Sequence, residues 1–515
     1  MTQKILWVDD EIELLKSHII FLQGKGYQVK TATNGDDALH LVGTEAFDLL
    51  LLDESMPGKG GLETLAEIYE IAPTLPVVMI TKNEEERLME DAIGMRINDY
   101  LLKPVNPLQI YSACKRLLDA EKIQASRLSQ DYTREFSTLE SLVADNSWEG
   151  WLRLHRRLCE WDLEFDRFRD TGFEHTHEDQ KANMTYNFGR FIETRYADMV
   201  FSESRPPMSV DIFPKFVLPH LEQGRQVFFI VIDCVRLDQW MIIDEILKED
   251  FVVENDYYLS ILPTATPYAR NAIFSGLFPD EIAKNYPKRW LERSKDEVSK
   301  NRFEDFFLAE QMKRFKQDPG RMKYFKVYTV SESNEIRKKI PSLVTLPFGV
   351  FVFNFVDIMA HGRNQIDILQ EIAPDESAFR SLMRSWFYHS SLLELLKELS
   401  RRKATVVMTT DHGSVICRKS SLVHGRKDTS TNLRYKFGDN LNCDEKQAIV
   451  TRRPGDFHLP TESGTKSYIF AKEYYYFVYP TNFRDYEKQF LGSIQHGGVS
   501  LEEMILPCLT LTSKT

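Results

Sequence analysis

The chain has 515 residues, 43% hydrophobic and 28% charged, an ordinary balance for a folded protein but too long for one core, so roughly three domains are expected. A formal net charge of −12 argues against a broad nucleic-acid-binding surface and leaves room only for a local basic pocket. Six cysteines without a C-x-x-C pair indicate neither a disulfide framework nor a cysteine metal site. With a strand opening at Lys4 and no bilayer-length apolar run, the expectation is a cytoplasmic protein without a signal peptide.

Residues 1–120 repeat one unit, an apolar strand followed by an amphipathic helix. The predicted strands are Lys4–Val8, Tyr27–Thr33, Phe47–Leu52, Val77–Thr81 and Tyr100–Leu102. The helices run through Leu14–Leu22, Gly35–Ala46, Leu62–Ile71, Glu84–Met95 and Leu108–Leu118. Such alternation implies a doubly wound parallel sheet. Its polar residues fall on strand ends, along one edge. Asp9, Asp10 and Asp53 converge there, and three carboxylates so close need a cation; all-oxygen coordination suits Mg2+. Thr81 adds a hydroxyl and Lys103 a positive charge, so Asp53 is placed to accept a phosphoryl group. This stretch resembles a response-regulator receiver domain of flavodoxin-like fold. The resemblance makes Asp53, in Leu52-Asp53-Glu54-Ser55-Met56-Pro57-Gly58, the phosphorylated residue and Asp9 and Asp10 its acidic pair. Thr81 becomes the switch hydroxyl, Tyr100 the switch aromatic and Lys103 the lysine of Lys-Pro. It implies a sensor histidine kinase as partner.

Residues 121–205 turn helical and polar. Three helices are predicted: one continuing to about Ala144, one over Ser147–Arg169 and one over Glu178–Phe201. Asn146-Ser147 caps the second. Trp148, Trp151, Leu154, Leu158 and Trp161 recur at helical spacing and read as core. A small helical bundle joining two functional domains is expected, closed by Ser204-Arg205-Pro206-Pro207. His175 and His177 read as a solvated loop.

In residues 206–515, acids and histidines gather at predicted strand ends. The run Gln226–Ile232 ends in Asp233. Phe348–Val356 ends in Asp357, with His361 four residues on. Val406–Thr410 ends in Asp411-His412-Gly413. His496 opens His496-Gly497-Gly498, and Leu262-Pro263-Thr264-Ala265-Thr266-Pro267 offers hydroxyls. Two divalent ions about 4 Å apart can hold both sides of an in-line displacement at phosphorus, and one can turn a hydroxyl into a nucleophile. Mixed Asp and His ligands favour Zn2+ over Mg2+. Arg418, Lys419, Arg426, Lys427, Arg434 and Lys436 form a basic island suited to phosphate, with Arg434 and Lys436 the candidate substrate contacts. Residues 280–345 carry no motif that can be placed.

This third region resembles the PglZ branch of the alkaline phosphatase superfamily, an α/β fold. That resemblance implies one metal held by Asp233, Asp411 and His412 beside the nucleophile Thr266, Thr264 being the alternative, and a second held by Asp357, His361 and His496. The order of domains resembles the PorX-like response regulators associated with type IX secretion. The Pro263-Thr264-Ala265-Thr266-Pro267 stretch resembles threonine-dependent nucleotide phosphodiesterases, so a zinc-dependent phosphodiesterase acting on nucleotide or oligonucleotide diesters is expected, and phosphorylation of Asp53 is expected to shift the protein toward a dimer. Secretion-motor components and a sigma factor would be partners. The rival readings are a non-catalytic scaffold and a transcriptional regulator; no helix-turn-helix is evident to support direct DNA binding.

Overall fold

Short runs of Leu, Val and Ile with charged residues only at their ends cannot face water on either side, and they become the central strands of two separate sheets. The computed structural model describes residues 3–82, 97–168, 172–290, 301–363, 366–425, 432–461, 466–481 and 483–514. The chain divides into one unit of residues 1–132 with 168–171 and another of 133–167 with 172–515.

The first unit is built on β1 (Lys4–Val8), β2 (Gln28–Ala32), β3 (Leu49–Asp53), β4 (Val77–Thr81) and β5 (Asp99–Leu102), all parallel in the order β2-β1-β3-β4-β5. Alternate residues of β1, β3 and β4 serve two cores. Ile5, Trp7, Leu49 and Leu51 pack on one face, Leu6, Val8, Leu50 and Leu52 on the other. The helices are α1 (Lys16–Gly24), α2 (Gly35–Thr44), α3 (Gly61–Ile71) and α4 (Pro107–Leu118). The helix predicted over Glu84–Met95 lies outside the described residues. The strand order reverses between β1 and β3, which opens a crevice at their carboxyl ends.

Three linker helices follow: α5 (Ala120–Asp145), α6 (Trp148–Arg167) and α7 (Glu174–Met199). Ser147 caps α6, accepting a hydrogen bond from the Gly150 amide at 3.0 Å. Trp151, Leu154, Leu158 and Trp161 are buried, and Trp151 packs edge-on against Phe188 of α7. The linker is more than a joint: α6 packs on α8 (Leu237–Leu247) of the C-terminal region, and the boundary between units falls inside α5. The loop predicted at His175 and His177 is instead the first turn of α7. His177 is buried with its Nε2 3.0 Å from Asp162 Oδ1, a partner fifteen residues away that no local pattern announces.

The C-terminal sheet has β6 (Val227–Ile232), β7 (Phe251–Leu259), β8 (Met322–Val327), β9 (Phe348–Phe353), β10 (Thr405–Thr409) and the last strand, Ile505–Ser513. Its order is β7, last strand, β10, β6, β9, β8. β10, β6, β9 and β8 are parallel, and the last strand runs antiparallel between β7 and β10. The carboxyl ends of β6, β9 and β10 therefore meet along one edge. The remaining helices that matter are α9 (Thr266–Ser275), α10 (Glu304–Arg314), α11 (Phe355–Gly362) and α12 (Glu376–Tyr388). The strand predicted to run to Val356 stops at Phe353. Asp357 lies in the first turn of α11 with His361 one turn later, so the four-residue spacing puts both on one helix face.

Candidate metal centre and phosphorylation site

At the receiver edge, Asp9 follows β1, and Asp53 is the last residue of β3. Both are buried, while Asp10 is exposed. Carboxylate oxygens of all three lie within 4.8 Å of one another. Lys103, just past β5, reaches Asp9 Oδ2 at 2.8 Å and Asp53 Oδ2 at 2.9 Å. The other Asp53 oxygen is buried with no hydrogen-bond partner among the described residues. Burial raises the Asp53 pKa against the pull of Lys103. An all-oxygen triad with an uncompensated buried acceptor fits Mg2+. Thr81 is buried and donates to Glu54 Oε2 at 3.1 Å.

The second site is assembled by the strand ends of the C-terminal sheet. Asp233 follows β6 directly, and Asp411 and His412 follow β10. Oxygens and nitrogens of these three, all buried, lie within 4.8 Å of one another. His412 Nε2 is 3.5 Å from Asp233 Oδ1 and 3.7 Å from Asp411 Oδ2. Its other nitrogen, Nδ1, sits 3.1 Å from the Gly413 carbonyl; donation there would fix the tautomer that leaves Nε2 open as a ligand. Thr266 is the first residue of α9, and its Oγ1 is 2.9 Å from His412 Nε2. Thr264 points elsewhere, donating to the Gly498 carbonyl at 2.8 Å.

Asp357, His361 and His496 form a second group within 4.8 Å. The Nε2 atoms of His361 and His496 are 3.2 Å apart. They lie 3.3 and 3.6 Å from Asp357 Oδ1. The ring of His496 stacks on that of His412 at 4.1 Å, so the two groups adjoin. His496 is brought in by a two-residue ladder pairing Val415-Ile416 with Ile494-Gln495. Gly413 is needed for the close approach: a Cβ there would lie 1.9 Å from the Glu502 carbonyl oxygen.

Electrostatics make the fit to cations concrete. Burial and the charge of Asp233 raise Asp411 to about 7. His412 is raised although burial alone would lower it, because Asp411, Asp233 and Asp357 surround it. Burial, His412 and His361 push His496 well down. Asp233 Oδ1 and Asp411 Oδ2 are buried without a hydrogen-bond partner among the described residues. Paired carboxylates and facing imidazole nitrogens are metal donors, so each of the two groups could hold a metal ion.

Sequence reasoning missed the residues that support this cluster. Arg270, one turn along α9 from Thr266, donates to Asp233 Oδ2 at 2.7 Å and to Glu304 Oε1 at 2.7 Å. Asn354, directly after β9, donates to Asp233 Oδ2 at 2.6 Å. The four-residue step from Thr266 would have found Arg270. Glu304 lies in the stretch that carried no placeable motif, and nothing local marks it.

The basic island needs correction. Arg434 is fully buried; its guanidinium is spent on both Glu503 oxygens and the Tyr475 carbonyl. Lys436 is buried too, donating to the Asn432 carbonyl at 2.8 Å, and burial brings its ammonium down to about 7. Neither offers a charge to a substrate phosphate, because both are buried at strand Tyr435–Asp439, which pairs with Lys466–Ala471, where sequence shows only a run of cations. Arg426 and Lys427 lie outside the described residues.

Comparison with known proteins agrees with this architecture. Residues 212–511 match the family described as BREX system PglZ alkaline phosphatase-like domain. Residues 5–115 match the response regulator receiver domain, and 122–200 the PorX response regulator linker domain. The alkaline phosphatase synthesis transcriptional regulatory protein PhoP of Bacillus subtilis (strain 168) is 32% identical over 127 residues, which cover 24% of this chain and 52% of that protein. The transcriptional regulatory protein ResD of the same organism is 37% identical over 116 residues, 22% of this chain and 48% of that one. The chain thus spans about half the length of these curated relatives. Among solved structures, a CheY-like receiver domain protein from Methanospirillum hungatei JF-1 is similar at 28% identity, over 23% of this chain and 96% of that one, with a TM-score of 0.23. The chain belongs to the PglZ alkaline phosphatase-like family, with that domain as the output of a response regulator. With the linker matched as well, it is a PorX-like response regulator. A receiver domain implies a partner histidine kinase. Among the described residues no helix is long and apolar enough to cross a membrane.

Proposed function

We propose that the output domain is a metal-dependent phosphodiesterase with Thr266 as nucleophile, governed by phosphorylation of Asp53. The observation that carries this reading is the Thr266 hydroxyl at the amino end of α9, 2.9 Å from His412 Nε2 and beside the buried Asp233 and Asp411. Thr266 Oγ forms a bond to phosphorus as the bond to the leaving alcohol oxygen breaks in line, and that oxygen takes up a proton. Water then attacks the phosphothreonine, breaks the Oγ–P bond and restores the hydroxyl, releasing a phosphomonoester. The positive end of the α9 dipole favours the alkoxide. Asn354 and Arg270 hold Asp233 in place. Zn2+ at Asp233, Asp411 and His412, and at Asp357, His361 and His496, would supply the charge that acidifies the hydroxyl and neutralises the developing oxyanions.

A nucleotide or oligonucleotide diester is the preferred substrate class, by the resemblance of Pro263-Thr264-Ala265-Thr266-Pro267 to threonine-dependent phosphodiesterases. The link to type IX secretion, its motor components and a sigma factor rests on the PorX likeness alone. The test is Thr266→Ala assayed on bis-p-nitrophenyl phosphate with Zn2+. Turnover is expected to fall by about 1000-fold or more; intact turnover would remove the nucleophile assignment, and no turnover in the parent would favour a scaffold. Phosphorylation is expected to draw the chain into a dimer. Light scattering with and without a phosphoryl mimic checks this, and equal masses at every concentration would contradict it.

A further inference from the structure

The linker helices carry buried charge into the output domain. Lys181, on α7, is almost fully buried. Its Nζ lies 2.9 Å from Asp162 Oδ2 of α6, 3.4 Å from Glu376 Oε2 of α12 and 3.7 Å from Glu502 Oε1. Charged groups out of water persist only when paired, and each removed partner leaves the others uncompensated. Two arms lead from this ammonium to the metal-ligating loops. In one, Glu376 Oε1 accepts from Arg236 Nη1 at 3.0 Å. Arg236 stands three residues after Asp233 and is clamped by both Asp238 oxygens at 3.0 and 2.7 Å. In the other, the Glu502 backbone abuts Gly413 so closely that no side chain fits. The Gly413 amide donates to the Glu503 carbonyl at 3.3 Å, and the Gly413 carbonyl lies against His412 Nδ1.

We infer that Lys181 is a positioning residue for the metal centre: from a linker helix it sets both the loop that carries Asp233 and the loop that carries Asp411 and His412. The linker is then part of the catalytic unit and not a tether beside it. This rests on the metal-centre reading above. Burial would raise Glu376, yet Lys181 and Arg236 bring it down to about 2, and Asp162 is likewise held well below the carboxylate range, burial being outweighed by Lys181 and His177. Asp162 and Glu376 are thus charged partners of Lys181, held by Coulomb attraction in a low-dielectric interior, while burial pushes Glu502 up against the pull of Lys181. A second linker contact runs parallel: Asp166 of α6 holds Arg380, at 2.6 and 2.8 Å, against Asp238.

The test measures Zn2+ affinity of the full chain by competition with a chromophoric chelator, alongside kcat and KM on bis-p-nitrophenyl phosphate. Lys181→Met is expected to weaken Zn2+ binding by about 10-fold or more, the scale seen when groups behind a ligand are removed. Lys181→Arg, which keeps the charge, should recover most of it, a rescue that loss of packing alone would not give. Glu376→Gln, at the partly exposed partner that links Lys181 to Arg236, serves if Lys181→Met does not fold, and should weaken Zn2+ binding by about 10-fold. A folded Lys181→Met, or failing that a folded Glu376→Gln, that binds Zn2+ and turns over like the parent overturns the inference. A parent that binds no Zn2+ at these ligands overturns the metal-centre reading itself, which separates the two failures.

Discussion

The two acidic centres of this chain solve one electrostatic problem differently. In the receiver, Asp9 and Asp53 are bridged by Lys103, and Asp10 faces solvent. The lysine neutralises much of the repulsion, so a cation can come and go at the open edge. In the output domain, Asp233, Asp411 and His412 are all sealed from water, two carboxylate oxygens have no donor among the described residues, and the neighbouring cation, Arg270, is shared with Glu304. Such a site favours a resident ion. The contrast suits a receiver that must cycle and the hydrolytic role proposed for the output domain, whose site would be kept assembled.

The sharpest break would come from the ligands. Asp233→Asn should weaken Zn2+ binding by about 100-fold or more, since a ligand matters at least as much as the groups behind it. It should leave Mg2+-dependent binding of beryllofluoride to the receiver unchanged; metal analysis after dialysis and fluorescence titration check the two halves. Equal losses at both centres would mean that they are not independent.

Acid is the next lever. Glu376 falls from 4.5 to about 2 in the folded state, because Lys181 and Arg236 outweigh its burial. A depressed carboxylate stabilises the fold above its unfolded pKa, and that contribution is lost as pH falls through the folded value. The second unit should therefore lose about 3 kcal/mol from this group between about pH 4.5 and 2. Urea titrations of the full chain at stepped pH should show a shallower acid slope in Glu376→Gln; an unchanged slope would remove Glu376 from the network.

The smallest effect concerns the two threonines. Thr264→Val deletes one neutral buried hydrogen bond, to the Gly498 carbonyl, and should cost about 1 kcal/mol by chemical denaturation while changing turnover by less than about fivefold. A collapse of turnover instead would move the nucleophile from Thr266 to Thr264.

Residues at the ends of apolar strands were legible because burial forces such runs into a sheet interior and ejects polar residues to its edges. Asp9, Asp53, Asp233 and Asp411 could be read in this way, and so could the five-strand alternation of the receiver. Asp357 was placed at a strand end but stands on α11, because the apolar run Phe348–Val356 does not reveal where strand gives way to helix. Arg434 and Lys436 looked like a phosphate-binding island because a list of cations carries no burial; only the pairing with Glu503 shows where Arg434's charge is used. His177 and Lys181 on the linker gave no sign, since their partners come from Asp162, Glu376 and Glu502, far away along the chain.

The sequence by itself determined the doubly wound receiver, the helical linker and an α/β output domain. It also marked which side chains carry chemistry, because periodic burial and the polar ends of strands are local properties. The tertiary structure alone decided that Thr266 and not Thr264 meets His412, that Arg270 and Asn354 support Asp233, and that linker charges reach the metal loops. These are matters of distance between segments up to hundreds of residues apart, and in a low-dielectric interior distance sets the energy of every charge.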